Sequence, residues 1–458
     1  MAVSMDHRNK ARYGNRTFQV EPYGIESVGQ EERHGTVRSQ FTLWLGSNLT
    51  IADFALGFLP VSLGLPWPWI IVSILLGNVA GSLLVGACSA MGPTYGVPQL
   101  IIGRYSFGKI GGLLPALLNY VSTIGWFAVN NILGTFGLRV LFPGLLFWQG
   151  ALILVVIQGL LAVYGHNLIH AYERVMSVLL AILFAVVTII AATQTGKLLA
   201  YHPTTQGLWP LFAIMVAAAF SYVGSWGPYA SDYSRYLPVT TDRKKIMLHV
   251  FLGSFIASAW LELVGALVAV LAGAGASDPI AALHSVTGGF GAIAVIAVVL
   301  GGTAADALNL YSNALSAGAL GIRLPRVVLA IGASLIGLIL SLLGSGHFEQ
   351  NYENFLLMLG YWMTPWVGIL ITDFFILRRD RIASKDIRAT TRVFWPGILS
   401  FLIGIVCSLP FMDGPFYEGA ISKAMGGAEL SFYVGFLVAS IVYYLMTRRV
   451  VNMASNSL

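Results

Sequence analysis

Apolar residues in this chain gather into long runs parted by short polar stretches, rather than alternating at the spacing of a soluble helix or strand. Twelve runs of roughly 20 residues or more, the length that carries an α-helix across the hydrocarbon core, stand out. They are Phe41–Pro60, Trp69–Met91, Gly112–Phe142, Leu145–Tyr164, Val175–Thr193, Leu208–Gly227, Val250–Leu271, Phe290–Leu320, Val327–Leu343, Phe355–Leu377, Phe394–Met412 and Leu430–Met446. The pattern predicts an all-α integral membrane protein of twelve transmembrane helices. A tail over residues 1–40 precedes five spans over 41–193, five more over 208–377, two further spans over 394–446 and a second tail over 447–458. Hydrophobic residues make up 57% of the chain and charged residues only 10%, which a soluble domain of this length would not tolerate.

The placement of charge tests the span count, because Lys and Arg collect in the loops on one side of a membrane protein. Arg8, Lys10, Arg12, Arg16, Arg33 and Arg38 precede the first span. The same side then collects Arg104 and Lys109, Arg174, Arg235, Arg243, Lys244 and Lys245, Arg323 and Arg326, the cluster from Arg378 to Arg392, and Arg448 with Arg449. The opposite side holds only Arg139, Lys197 and Lys423. Both termini are therefore expected in the cytoplasm, and the expected location is the plasma membrane, a cell inner membrane. The net charge of +6 reads as topology and contact with an anionic leaflet, not as nucleic-acid binding. No apolar leader precedes the first span, so that span itself is expected to serve as the insertion signal.

Loops between spans reach only about 20 residues, so the bundle must carry the function. There is no GxxxxGK[ST] loop and no room for a nucleotide-binding domain, which excludes a nucleotide-driven pump. Cys88 and Cys407 both fall inside spans and form no disulfide framework or metal-ligand spacing. His166 and His170 are spaced to share a helix face, but no HExxH glutamate accompanies them and GHNLIH reads as an interfacial loop. No nucleophile, base and acid arrangement stands out, so the chain is read as a non-enzyme without a cofactor, and nothing points to an obligatory protein partner.

Two spans share an irregularity. The first contains WLGSNLT and the sixth SYVGSWGP, each with Gly beside Ser or Asn where a continuous helix would favour Leu or Ala. An interrupted helix at membrane depth frees backbone polar groups, which is tolerable where they line a cavity or bind something. Paired interruptions five spans apart are what a five-plus-five inverted repeat produces, with solute and ion bound at the breaks. Gly77 and Gly81 in GNVAG read instead as close-packing positions.

Candidate chemistry concentrates in spans three and eight. Thr123, Trp126 and Asn130 share one face of span three, and an indole beside an amide at mid-span suits a flat ring that carries donors and acceptors. In span eight, GGTAADALNLYSNAL sets Thr303, Asp306, Asn309 and Asn313 along one face. An intramembrane carboxylate faces water, pairs, or takes up a proton, so Asp306 points to cation or proton coupling, with a structural bridging role as the alternative. Asp53 and Glu262 are weaker candidates, and Asp373 beside Arg378 reads as structural.

The residues together resemble the nucleobase:cation symporter-1 transporters, in their cytosine and purine permease branch. The likeness runs along nearly the whole chain. It is carried by YGIESVGQEER before span one, GRYSFG before span three, GWF around Trp126, SDYSRYLP after span six and NFLLMLGYWMTPWVGILITDFFILRR in span ten. The resemblance implies a LeuT-like inverted repeat with broken helices one and six, alternating access and a cation gradient as driving force. It implies that Trp126 stacks on a nucleobase-like ring, with Thr123, Asn130 and Thr50 as polar neighbours and Asn309 bonding the solute. The second ring contact is Tyr222 or Trp226, beside Ser221 and Gly224, with Tyr222 preferred. For a sodium ion the resemblance offers the carbonyls of Gly46 and Leu49 and the hydroxyl of Thr303. Ala304 stands where a second hydroxyl belongs, which together with Asp306 brings H⁺ forward beside Na⁺ as the coupling ion. The expected activity is import of cytosine, a purine or a hydantoin-like ring by cation symport. A vitamin or amino-acid transporter on the same scaffold is the alternative, and a channel, a membrane sensor or a membrane enzyme finds no supporting motif.

Overall fold

A computed structural model describes residues 23–162, 166–205, 207–273, 278–378 and 392–455, apart from the side chains of residues 161–170, 173, 326 and 449–455. Twenty helices build it. The first two, α1 (Val37–Asn48) and α2 (Ile51–Leu56), are followed by the short α3 (Leu59–Ser62), by α4 (Trp67–Ser89) and by α5 (Gly92–Tyr95). Then come α6 (Gln99–Gly111), α7 (Leu113–Leu141), α8 (Phe147–Ala162), α9 (His166–Ala192) and α10 (Thr195–Leu199). The second half has α11 (Leu208–Gly224), α12 (Ala230–Ser234), α13 (Arg243–Ala272), α14 (Pro279–Thr287), α15 (Gly291–Ala319) and α16 (Arg326–Gly344). Last are α17 (Phe348–Ile371), α18 (Trp395–Ser408), α19 (Ala420–Ala424) and α20 (Ser431–Ser455), with two-residue strands Asp413–Gly414 and Tyr417–Glu418 paired antiparallel before α19. Among the described residues, eight helical stretches are long and apolar enough to cross a membrane, nine if the bent pair formed by Val37–Asn48 and Ile51–Ser62 counts as one; Val327–Leu377 takes in both α16 and α17.

Polar residues start several helices at their aqueous ends. Asp242 accepts the N–H groups of Lys244 and Lys245 at 2.8 and 3.3 Å ahead of α13, and Asp278 those of Ile280 and Ala281 ahead of α14, supplying partners that the first helical turn lacks. Helices also start earlier than the apolar runs do. The α13 helix opens at Arg243 and α17 at Phe348, because a helix can carry charged residues in its first turns before the apolar pattern begins. At His166 to His170 the backbone is part of α9, not the loop expected there, while the two histidine side chains lie outside the described residues. Residues 1–22 and most of the basic cluster after Arg378 also lie outside them.

The two expected interruptions differ. Span one is bent by 54° between Asn48 and Ile51. Span six gives up its α-helical ladder more gently, passing from α11 through Ser225 and a 3-10 turn at Gly227–Tyr229 into α12, with one departure at Tyr229 (φ −136°, ψ 15°). Pro228, with no N–H to give, falls where the ladder changes.

The long helices meet by direct backbone contact. At Gly77 an added Cβ would lie 2.7 Å from the Val216 carbonyl, and at Gly81 it would lie 2.8 Å from that of Phe220, so these glycines bring α4 against α11. The α2–α13 contact is tighter. A Cβ on Gly57 would stand 2.1 Å from the Glu262 carbonyl oxygen, and one on Gly265 would stand 2.0 Å from that of Phe54. These paired approaches fix the register of the second half of span one on α13. Arg235 is buried and donates to the Gly24 carbonyl at 2.6 Å and the Tyr311 hydroxyl at 3.1 Å, which ties the segment before α1 to α15. Asp373, in a π-helical turn at Thr372–Leu377, is buried, pairs with Arg378 at 3.0 Å and accepts the Tyr443 hydroxyl at 2.8 Å, anchoring α20.

Replacing Gly265 by Leu forces α2 off α13, a form of overpacking that costs about 1–3 kcal/mol or more. The unfolding midpoint of Gly265→Leu in detergent should fall well below that of Gly332→Leu, a helical glycine whose Cβ would meet nothing within 4 Å.

Candidate functional site

The break in span one lies beside Trp126. Thr50 caps α2, its hydroxyl accepting the Asp53 N–H at 3.3 Å, and the same hydroxyl pairs with the Tyr222 hydroxyl of α11 at 2.8 Å. Tyr222 in turn stands edge-on to the Trp126 indole of α7, with ring centroids 5.2 Å apart and an interplanar angle of 88°. Tyr352 and Phe355 from α17 complete an aromatic enclosure, at 6.2 and 5.2 Å from Trp126. Tyr352 is tied back to the break by its hydroxyl, which donates to the Ala52 carbonyl at 3.0 Å. Inside this enclosure Trp126 is only 5% exposed, and its indole N–H has no hydrogen-bond partner.

A row of polar pairs joins α7 to α15 alongside the indole. The Asn313 amide donates to the Thr123 hydroxyl at 2.9 Å, and one turn further along the Asn119 amide donates to the Ser316 hydroxyl at 2.9 Å. On the other side of Trp126, the Asn130 amide donates both to the Trp126 carbonyl and to Asp306 Oδ1, each at 3.1 Å. Asn309 reaches the same Asp306 oxygen at 3.5 Å and accepts the Tyr229 hydroxyl at 3.4 Å. Four buried acceptors along this row remain without a donor, Asn119 Oδ1, Asn130 Oδ1, Asn313 Oδ1 and Asp306 Oδ2, of which those of Asn130 and Asp306 belong to the pair that follows Trp126. A buried donor and several buried acceptors left unpaired are costly unless something else bonds them.

Of the residues singled out from sequence, the structure therefore brings Thr50, Tyr222, Trp126, Asn130, Asp306 and Asn309 into one connected group. Thr123 is one turn away, its hydroxyl donated to the carbonyls of Asn119 and Tyr120. Trp226 joins the group by another route, donating its indole N–H to Asn48 Oδ1 at 3.1 Å at the break and packing against Trp44 and against Tyr229, which bonds Asn309. Ser221 is turned toward α17 and donates to the Leu356 carbonyl at 2.5 Å, while Gly224 makes room for Met363. Tyr352, Phe355 and Tyr229 are additions that sequence reasoning missed. Tyr352 precedes the expected start of span ten at Phe355, where Glu349 and Glu353 break the apolar run.

Of the ion candidates, Asp306 belongs to the group around Trp126, and Gly46, Leu49 and Thr303 have other partners. The Leu49 carbonyl comes within 3.1 Å of where a Cβ on Gly301 would stand, which sets it against α15 two residues before Thr303. The Gly46 carbonyl accepts the Leu49 N–H at 3.1 Å. Thr303 donates to the Leu300 carbonyl at 2.6 Å and shares a hydrogen bond with the Tyr172 hydroxyl of α9 at 3.0 Å. Ala304, beside it, is buried and offers no oxygen of its side chain. Among the described residues no cluster of three His, Cys, Asp or Glu side chains is arranged to hold a metal ion.

Comparison with known proteins bears on what such an enclosure takes up. A family described as permease for cytosine/purines, uracil, thiamine, allantoin matches residues 27–435. A Bacillus subtilis protein named as a purine-cytosine permease, YxlA, is 31% identical over 452 residues, covering 94% of this chain and 96% of its own. The purine-cytosine permease fcyB of Emericella nidulans is 27% identical over 449 residues, covering 93% of this chain and 88% of its own. Among solved structures, Mhp1, a nucleobase-cation-symport-1 family transporter, in a closed conformation with bromovinylhydantoin bound, superposes with a TM-score of 0.76 at 20% identity, over 95% of this chain and 96% of its own. Its inward-facing conformation gives 0.72 at 17% identity, over 96% of this chain and 95% of its own. At these identities the structural likeness establishes the fold.

The Asp306 cluster can be tested apart from any solute. Asp306→Leu removes the acceptor of two buried amides and should lower stability by about 1–3 kcal/mol, whereas Asp306→Asn keeps an acceptor oxygen and should lose less. Thermal unfolding of both variants in detergent gives the ordering.

Proposed function

The chain belongs to the family of permeases for cytosine/purines, uracil, thiamine and allantoin, and from that membership we propose that it is a secondary active transporter importing a nucleobase or related planar heterocycle by cation symport. It is a multi-pass membrane transporter, not an enzyme. The observation that carries the substrate class is the ring enclosure: an indole bounded by Tyr222, Tyr352 and Phe355, with an unpaired N–H on the indole and unpaired acceptors on Asn130 and Asp306 close by. A flat ring with donors and acceptors on its edges matches both properties, stacking on the π face and filling the unmet hydrogen bonds. In this reading the Trp126 indole stacks on one ring face, Tyr222, held by Thr50, meets the ring edge-on, Asn130 and Asn309 read its edges, and Thr123 holds Asn313 one turn along the same seam. Ser221, Gly224 and Trp226 support the fold around the site.

Helices α1 to α9 make the first five-span repeat over residues 41–193, and α11 to α17 the second over 208–377, with α18 and α20 outside it, giving twelve spans. Both termini face the cytoplasm of a cell whose plasma membrane holds the protein. Alternating access turns on the bent span one and the unwound stretch of span six, and Gly46, Leu49, Thr303 and Asp306 are the residues of the coupling-ion side. The coupling ion is H⁺ or Na⁺. The lack of a hydroxyl at Ala304 weakens a sodium site and favours H⁺. An inward-negative membrane potential would add about 2.3 kcal/mol per charge per 100 mV to uptake. A vitamin is the second reading, supported by the thiamine in the family's own description.

Uptake of labelled cytosine, adenine, hypoxanthine and allantoin into proteoliposomes, under an imposed Na⁺ or pH gradient, tests this. One of the four should accumulate. Stacking on an aromatic side chain is worth about 1–3 kcal/mol for a base, so Trp126→Ala should weaken binding roughly 5- to 150-fold while Trp126→Phe loses much less. Accumulation of no ring, or of a ring with unchanged affinity in Trp126→Ala, would overturn the assignment.

A further inference from the structure

Away from the ring enclosure and from Asp306, two carboxyl groups face each other in the buried contact between α2 and α13. Asp53 and Glu262 are both fully buried, and each carboxyl lies against the other, with the Asn78 side chain of α4 beside Glu262. Asp53 Oδ2 accepts the Ser258 hydroxyl at 2.6 Å. The remaining three oxygens, Asp53 Oδ1 and both oxygens of Glu262, receive no hydrogen bond from a protein donor. The titratable groups that face the pair from other helices are Tyr222 of α11 and Tyr352 of α17, and no Lys, Arg or His among the described residues does. Two touching carboxylates with one hydroxyl donor and no cation cannot both be ionised in such a place, whereas one proton placed between them turns a repulsion into an O–H···O hydrogen bond. The backbone enforces the meeting, because the close approaches at Gly57 and Gly265 leave α2 no room to slide along α13.

We propose that Asp53 and Glu262 share a transported proton and are the site through which a pH gradient drives this carrier. The proposal rests on the reading of the chain as a cation-coupled importer. The pair is wired to the ring enclosure by two short paths. The Asp53 N–H bonds Thr50, whose hydroxyl holds Tyr222 against Trp126. Ala52, the residue before Asp53, accepts the hydroxyl of Tyr352, which faces the same indole. A small pocket lined by Ala55, Leu56, Tyr352, Glu349 and Glu353 adjoins the far end of α2. With the proton in place α2 sits on α13 and Tyr222 and Tyr352 close on the ring. When the proton leaves for the other aqueous phase, two negative charges in contact drive α2 from α13, and both tyrosines lose their anchors. The proton is taken from one solution and released into the other, and no other bond forms or breaks.

The test uses the full chain, as wild type, Glu262→Gln, Asp53→Asn and Asp306→Asn. Infrared difference spectra of the purified protein between acid and alkaline pH read protonated carboxyl groups without any solute. Proteoliposomes loaded with labelled cytosine, or whichever of the four rings the wild type carries, read accumulation under a pH gradient and exchange at equal concentrations. A protonated-carboxyl band that is lost in both Glu262→Gln and Asp53→Asn but kept in Asp306→Asn, with Glu262→Gln exchanging the ring yet no longer accumulating it, bears the proposal out. A band unchanged in both variants, pH-driven accumulation by Glu262→Gln equal to wild type, or wild-type accumulation driven by Na⁺ alone overturns it. Should the wild type carry no ring, the function proposed above fails, and the infrared band still decides whether the two carboxyls share a proton. If Glu262→Gln does not insert, Asp53→Asn decides the same question.

Discussion

Everything at the centre of this bundle depends on how the backbone at Leu49 and Thr50 is satisfied. Hydrocarbon offers no water to a broken helix, so each freed N–H and C=O must find a protein partner or line a polar space. Here the Leu49 N–H turns back to the carbonyls of Leu45 and Gly46, the Thr50 hydroxyl takes the Asp53 N–H, and Tyr352 reaches across from another helix to the Ala52 carbonyl. None of these repairs is neutral in its placement. The last two bring in residues that also bound the indole or continue into the carboxyl pair, so mending the break and building the site share the same side chains.

Around that break two kinds of contact divide the labour. Between α7 and α15 the helices are held by polar pairs, Asn119 with Ser316, Thr123 with Asn313 and Asn130 with Asp306, which specify register because a slip would strand several buried amides at once. Between α2 and α13 the hold is steric, with glycines admitting carbonyl oxygens to contact distance. A polar seam can exchange partners as a helix tilts, while a glycine contact is either closed or open. The first is suited to reading a solute, and the second to a two-position switch.

The apolar pattern alone made the helical bundle legible, because a lipid-spanning helix must be apolar over its whole length and that property is written locally. The bend in span one was legible for the same reason, as GSN followed by Thr is a poor continuous helix. The milder passage in span six was not, since Gly227 and Pro228 signal a disturbance but not its size. Sequence spacing placed Thr123, Trp126 and Asn130 on one face, yet it could not show that Thr123 would be taken by Asn313 or that Tyr352 and Phe355 would flank the indole. Those contacts join α7 to helices far along the chain, and nothing in either segment names its partner. The choice between Tyr222 and Trp226 shows the limit well. Both are aromatic and one turn apart, and what separates them spatially is that Trp226 finds Asn48 for its N–H while Tyr222 finds Thr50.

Asp53 and Glu262 were individually weak signals, and they differ from Asp306 in a way that matters for coupling. Asp306 receives two amide donors on one oxygen and belongs to the row of polar pairs that sets α7 on α15. The Asp53 and Glu262 pair has a single hydroxyl and each other, so its surroundings depend on whether a proton is there. A group that is stable in one state organises a site, and a group whose contacts change sign with one proton can move a helix. On the proposal made for the carboxyl pair, Asp306 holds Asn130 and Asn309 beside the ring, and the gradient acts at the contact where α2, the second half of the broken span, meets α13.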